Sequence, residues 1–288
     1  MTETAGPAAP SVRFYLPSPP LAALVTTFYM IDVTQPMVDH IHPEWGNIRL
    51  VVKGLWTSRF IGGAVDSPGL AVLYGPTDRT RQIDSPGGAL VGIGLTPLGW
   101  LKLIGSNADA LANRVVRLDE LLGVPDATVL ARLAPASDAE RVALLESLLL
   151  ARLDARSTDD DAVRAVHQAL IAKDVTDVAG LAAASGLHVR QLQRVCGRAF
   201  GFSPRRLLNR QRFMRTLKNV TEQLDRPVGA VLDEAYYDQA QFIRDFRSYM
   251  GMTPSAYFKL PRVLLQRSAA ERRRLVGEHF QLLHPAAP

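Results

Sequence analysis

Gly201-Phe202-Ser203-Pro204 and Gly251-Met252-Thr253-Pro254 stand fifty residues apart and carry the same signal. In each, the glycine suits the left-handed residue after a helix, the Ser or Thr two positions on suits the cap of the next helix, and Pro fits its first turn. The likeness extends upstream in register. Leu192 pairs with Phe242, Gln191 with Gln241, Arg194 with Arg244, Cys196 with Phe246 and Leu181 with Val231. Two copies at so long a period are too few for a stacked solenoid, so each copy reads as a unit in itself.

Each unit reads as a short helix, a tight turn and a longer helix. In the first, Thr176 or Asp177 caps Val178 to Ala184, Ser185-Gly186-Leu187 turns, and a second helix runs from about Val189 to Phe200. In the second, Asp225 caps, Pro227 opens a helix to about Ala235, Tyr236-Tyr237-Asp238 turns, and Gln239 to Met250 follows. A helix-turn-helix places its second helix in the major groove of DNA. In the first unit Leu192, Val195, Cys196 and Ala199 form the packing stripe, while Arg190, Gln193, Arg194 and Gly197 repeat that spacing on the other side, with Arg198 beside them. Arg matches the guanine edge and Gln the adenine edge. In the second unit Phe242, Phe246 and Tyr249 pack and leave Gln239, Ala240, Ile243, Arg244 and Arg247 outward, where Ile243 either meets a thymine methyl or belongs to the packing.

For one isolated helix, a merely solvated Arg-rich face is the plainer reading. Charge segregation argues for more. Residues 177–262 hold 14 Lys and Arg against 7 Asp and Glu, whereas residues 1–176 hold 15 against 19. A basic segment of this kind is the footprint of a phosphate-binding surface. Between the units, Pro204 to about Leu224 has helical spacing at Leu207, Leu208, Met214, Leu217 and Val220. Roughly 20 helical residues span about 30 Å, close to the ~34 Å turn of B-DNA, and Arg206 and Arg210 on this spacer suit backbone phosphates.

These residues resemble the carboxy-terminal domain of AraC/XylS-type bacterial transcription regulators. The resemblance rests on Leu181-Ala182, Leu192-Gln193-Arg194, Gly201-Phe202-Ser203-Pro204, Phe242-Ile243-Arg244-Asp245-Phe246-Arg247 and Gly251-Met252-Thr253-Pro254-Ser255-Ala256-Tyr257, within about residues 160 to 260. It implies two helix-turn-helix units on a long linker helix, with DNA contacts at Arg190, Gln193, Arg194, Gln239, Ala240, Ile243 and Arg244. The chain departs from the family pattern at Tyr236-Tyr237, where Gly-Phe is usual, at Asp233 and at Cys196. The resemblance also implies a cupin-like amino-terminal domain that binds a small effector, and it allows dimers.

The fold class expected is therefore α+β. A β-rich barrel or sandwich over residues 12–95 has strands at Ile48–Val52, Leu55–Ile61, Leu70–Tyr74, Arg79–Ile83 and Ala89–Leu95. Helices are expected from Leu98 to about Ile104, near Asn107–Val115, at Glu140–Arg156 and at Asp160–Ala172, followed by the all-α DNA-binding part. The domains divide as 1–156 for sensing and dimerisation, 160–262 for DNA and 263–288 as a basic helical tail, with Asp154–Asp161 as linker. Leu144, Leu145, Leu148, Leu149 and Leu153 make a broad stripe that either pairs two chains or packs on its own barrel.

In the barrel, Trp45, Trp56, Tyr74, Arg79, Arg81 and Trp100 are candidates for an effector pocket, against the plain alternatives of core aromatics and surface arginines. His40-x-His42-x-Glu44 resembles part of a cupin metal motif, but the glutamate follows too soon and no further His comes before His167, so no metal is expected. Neither a GxSxG elbow, a phosphate loop nor HExxH is present, so no catalytic residue and no cofactor is expected. A single Cys on the packing stripe and no apolar run near ~20 residues suit a reducing cytoplasm and no membrane. The reading is a sequence-specific transcription regulator, not an enzyme. Its partners are duplex DNA and a second copy of the chain, with RNA polymerase and an unidentified small-molecule effector as further candidates. The runner-up is a ligand-independent regulator whose amino-terminal half serves only dimerisation; a cupin metalloenzyme fused to a DNA-binding domain is the remote third.

Overall fold

A computed structural model describes residues 9–66, 69–119, 126–153, 160–172, 174–222 and 239–277. Its amino-terminal half holds β1 (Ser11–Tyr15), β2 (Val25–Val33), β3 (Met37–Ile41), β4 (Asn47–Gly54), β5 (Thr57–Phe60), β6 (Val65–Asp66), β7 (Ala71–Tyr74), β8 (Arg81–Ser85), β9 (Gly88–Leu95) and β10 (Val115–Arg117). They pair antiparallel into a six-stranded sheet, β1-β2-β9-β4-β7-β10, and a four-stranded sheet, β3-β8-β5-β6.

Alternation along the strands of the large sheet separates two jobs. Phe28, Met30, Ile48, Leu50, Leu73, Val91 and Ile93 share a core with the helices, whereas Tyr29, Ile31, Val51 and Leu90 pack with Ile83 of the small sheet. Both faces are covered, which is why β2 is buried almost throughout, from Thr27 to Ile31 without a break, and shows no period of two. Gly92 is needed where Tyr29 crosses β9: a Cβ there would lie 1.9 Å from the Tyr29 ring.

The helices are α1 (Pro97–Gly99), continued by a wide turn at Trp100–Ile104, then α2 (Ala108–Leu111), α3 (Asp126–Leu133), α4 (Asp138–Arg152) and α5 (Asp160–Ile171). The helix expected to reach Val115 stops four residues earlier. Asn113 takes a left-handed turn (φ 62°), which Asn tolerates, and Val115–Arg117 joins the sheet beside β7. Helix α4 opens with a capping box between Ser137 and Glu140. Its Leu144, Leu145 and Leu149 are buried in the chain's own core, with Leu148 packed against it, while Leu153 is exposed.

The carboxy-terminal part comprises α6 (Val178–Ser185), α7 (Val189–Val195) with a wide turn at Cys196–Phe200, α8 (Pro204–Glu222), α9 (Gln239–Met250), α10 (Pro254–Phe258) and α11 (Val263–Val276). Asp177 caps α6 through a 2.7 Å bond from the Gly180 amide, and Gly186 ends it at φ 67°. Gly201 and Gly251 hold the left-handed positions of the repeated signal, and Thr253 caps α10. The expected Asp225 cap, the helix from Pro227 to Ala235, the Tyr236-Tyr237-Asp238 turn and most of the Asp154–Asp161 stretch lie outside the described residues.

Three apolar clusters hold these parts. One runs from the outer face of the large sheet through α1, α4 and α5 into Leu181, Leu192, Val195, Phe200 and Leu207, so the first helix-turn-helix shares its core with the sheet. The second joins Phe213, Phe242, Phe246, Tyr249, Met250 and Tyr257. The third lies between the sheets and takes in Leu264 of α11.

Candidate DNA interface and effector cavity

Burial sorts the side chains of the two outer helices. On α7, Leu192, Val195 and Cys196 are buried; Arg190, Gln193 and Arg194 are exposed and Arg198 is half-buried. Burial pushes the Cys196 thiol up to about 12, so it is core and carries no thiolate. On α9, Phe242, Phe246 and Tyr249 are buried around Phe213. Gln239, Ala240, Arg244 and Arg247 are exposed and Ile243 is half-buried. Arg244 donates to Gln241 at 2.7 Å, and Gln241 donates to Asp245 at 2.9 Å, which orders the outer edge of this helix.

The linker helix α8 is not a free rod. Arg206 pairs with Asp78 at 2.6 Å and lies over the Tyr249 ring. Arg210, expected to meet a phosphate, is completely buried. It stacks 4.0 Å above Trp45 and donates to the Thr77 carbonyl at 3.2 Å, and burial draws its guanidinium down to about 10. The sequence could not show this, since Arg210 reads as one more solvated arginine until Trp45 is brought beneath it. The same loop of the amino-terminal half holds α9, because Thr80 donates to the Tyr249 carbonyl at 2.7 Å.

Between the two sheets lies a cavity of about 160 Å³. Of the six residues expected at a pocket, Trp56 and Tyr74 line it. Trp45 faces Arg210 and Phe200, and Trp100 is core, bonded to the Ser106 carbonyl. Arg79 and Arg81 do not share a strand face toward the cavity. They flank the Phe60 ring at 4.4 and 4.2 Å, and Arg81 is buried against Ser58 and Asp66.

The cavity's polar groups are ones that composition alone does not single out. Arg49 pairs with Glu44 at 2.6 Å, donates to the Tyr29 hydroxyl at 3.0 Å and stacks 4.2 Å over Tyr74. Its charged form is favoured by Glu44 despite complete burial. His42 lies 2.6 Å from the Tyr257 hydroxyl, and burial pulls its pKa down to about 3; burial lowers His40 as well. Both imidazoles are therefore neutral at pH 7. Among the described residues no group of three or more His, Cys, Asp or Glu is arranged to hold a metal. The remaining wall is α11, contributing Leu265, Ser268, Ala269 and Arg272 at helical spacing. Its first turn is capped by Asp39 of β3, which accepts from Leu264 N at 2.6 Å and Leu265 N at 3.3 Å.

The β-sheet half, with its cavity, is thus joined to one helix-turn-helix (α6 and α7) and, through the long helix α8, to a second outer helix, α9. Residues 181–260 match a family described as a helix-turn-helix domain, and residues 13–117 match one described as a domain of unknown function (DUF6597). The matched carboxy-terminal segment is a helix-turn-helix domain of the AraC type, which implies DNA-binding transcription regulation. No curated protein matches it significantly. Among solved structures it is similar to ToxT from Vibrio cholerae, at 12% identity and a TM-score of 0.47 over 88% of this chain and 100% of that one. It is also similar to unsaturated fatty acid-bound wild-type ToxT from V. cholerae strain SCE256, at 13% identity and 0.42 over 91% and 98%. A further similarity is to the AraC-like transcriptional activator CuxR, at 14% identity and 0.29 over 72% and 86%.

Proposed function

We propose that this AraC-type regulator reads duplex DNA with α7 and α9 and is gated by a small molecule in the cavity between the sheets. Arg190, Gln193 and Arg194 would meet base edges from the first unit, with Arg198 beside them, and Gln239, Ala240, Ile243, Arg244 and Arg247 from the second. The chain then divides into a sensing part to about residue 156, a reading part from about 160 to 262 and the helical segment after it. It acts in the cytoplasm as a regulator and not an enzyme, as a homodimer, with RNA polymerase as a further partner.

The observation that carries the gating is the connection between cavity and linker helix. Arg49 in the cavity wall holds Glu44; Thr77 donates its amide to the Glu44 carbonyl at 2.8 Å; the Thr77 carbonyl accepts from Arg210 on α8. A ligand that draws on Arg49 would be felt where the linker helix is braced, provided it binds one arrangement of that brace better than the other. Purely structural use of the amino-terminal half gives no reason for a buried Arg49–Glu44 pair in a cavity wall.

The test is fluorescence anisotropy of the full chain on duplex DNA across a salt series. Six phosphate contacts give a log–log slope near −5. A flat slope removes the DNA reading. Screening metabolites by thermal shift, then repeating the DNA titration with each hit, tests the gating; hits that never alter DNA affinity leave the ligand-independent regulator as the better reading.

A further inference from the structure

The cavity's wall carries more positive charge and more hydrogen-bond donors than its own chain satisfies. Of the charged residues facing it, Glu44 is matched by Arg49 and Asp66 by Arg81, while His40 and His42 are neutral. Two cations are left over. Arg272 of α11 touches the Phe14 ring at 4.9 Å and has neither a hydrogen bond nor a carboxylate within ion-pair distance among the described residues. Arg262 stacks on Tyr257 and Phe258, and it donates to the Leu260 carbonyl and to the Tyr257 hydroxyl, neither of which carries a charge to match its own. Asp39, nearby, is occupied with the α11 amides. Burial draws Arg272 down to about 10, so it stays protonated at neutral pH, although part of its surface remains accessible.

Two further donors have no acceptor among the described residues. Arg49 is 7% exposed, and its second terminal nitrogen, Nη1, is buried without a hydrogen bond; the same holds for Trp56 Nε1. Both residues line the cavity. Buried donors of this kind are rare in folded proteins and costly to leave unpaired. The missing counterpart is an acceptor with negative charge. Size limits the rest of it: an apolar cavity of about 150 Å³ admits a benzene-sized body, and this one measures about 160 Å³.

We infer that the cavity binds a small organic monoanion, a carboxylate on an apolar body about the size of one six-membered ring, whose oxygens take donors from Arg49 and Trp56 on the strands and from Arg272 on α11. This rests on the reading of the cavity as the effector site. The geometry gives α11 a specific role. It lines one wall of the cavity and supplies a cation there, so a bound anion fastens α11 to the sheets.

The test is calorimetric titration of the full chain with benzoate, hexanoate, oleate and the neutral benzyl alcohol. Benzoate or hexanoate should bind, benzyl alcohol and oleate at least about tenfold more weakly, as for loss of a charged hydrogen bond or of fit. Arg272→Gln should weaken benzoate about tenfold and Arg272→Lys less, with far-UV circular dichroism and melting unchanged without ligand. Trp56→Phe, which keeps a ring and removes the N–H, should weaken it several-fold and guards against misfolding of an arginine variant. Equal binding of benzyl alcohol, indifference to Arg272→Gln, or no binding of either small acid at millimolar concentration overturns the assignment, even where a neutral molecule is found that alters DNA affinity. If benzoate binds through Arg272 while DNA affinity is unmoved, the site stands and the gating reading falls.

Discussion

Acid should unfold this protein through one imidazole. His42 sits among apolar and cationic neighbours, beside the Tyr257 hydroxyl, with its pKa drawn from 6.5 to about 3 by burial first and then by Arg262 and His40. Above pH 6.5 neither the folded nor the unfolded chain carries this proton. As the pH falls below 6.5 the unfolded chain takes up a proton that the folded chain refuses, so stability is lost on the way down to the folded value. At pH 5 the separation from the unfolded value is 1.5 units, about 2 kcal/mol at 1.36 kcal/mol per unit. Because pH 5 lies well above the folded value, the figure depends almost entirely on the unfolded one. Urea unfolding at pH 7 and pH 5, followed by tryptophan fluorescence, would measure the loss in the parent chain and in His42→Gln, whose amide still offers Tyr257 an acceptor. The parent should lose about 2 kcal/mol more than the variant. Parallel losses would mean that His42 is hydrated or already charged in the folded state, and the reasoning would fail.

Three other outcomes follow from the packing. Arg194→Ala or Gln193→Ala should cost roughly 1–3 kcal/mol at particular base pairs, whereas Arg210→Met should leave DNA affinity and its salt slope intact and lower stability by about 1–2 kcal/mol through loss of the stacked cation; competition titrations beside melting curves separate the two, and equal loss on specific and random duplexes would strike Arg194 from the base readers. Leu145→Glu with Leu149→Glu should unfold the chain, by more than about 3 kcal/mol, since both leucines are buried in their own core; a soluble, folded monomer in sedimentation would instead place them in a seam between chains. Asp39→Ala removes the acceptor at the start of α11 and should cost about 1 kcal/mol, visible as faster hydrogen exchange confined to residues 263–276. Unchanged exchange there would show the cap to be idle.

How much of this was legible depended on whether the signal was local. The repeated Gly-x-(Ser/Thr)-Pro places helix ends within a residue or so, and α9 begins and ends where its spacing says. The buried stripe on α7 follows from side-chain period alone. Strands β1, β2 and β3 were harder. β2 is covered on both faces, so it has no alternation to read, and the helix expected through Val115 was cut short by a left-handed Asn113 that propensity does not foresee. The cavity was only half legible: Trp56 and Tyr74 stand out as aromatics, but Arg49 draws its meaning from Glu44 and Tyr29, which the fold brings to it. Arg272 could not be found from sequence at all, because nothing local ties α11 to the first strands.

The shared core beneath the first helix-turn-helix bears on how such a protein can be recombined. Leu181, Leu192 and Phe200 belong to one apolar cluster with Leu98, Leu103 and Ala108, and a Cβ at Gly201 would already press on Pro76 and Ala108. A hybrid that grafts this reading head onto a foreign sensor would carry a raw apolar face with it, and would need a matching α1 and α2 from the donor to stay soluble. The cluster around Phe213, Phe242 and Phe246 takes its buried apolar members from the carboxy-terminal part alone, and polar contacts such as Thr80 to Tyr249 and His42 to Tyr257 tie it to the amino-terminal half. For anyone building chimeric switches, the first head is therefore the part that cannot be lifted away without its apolar floor.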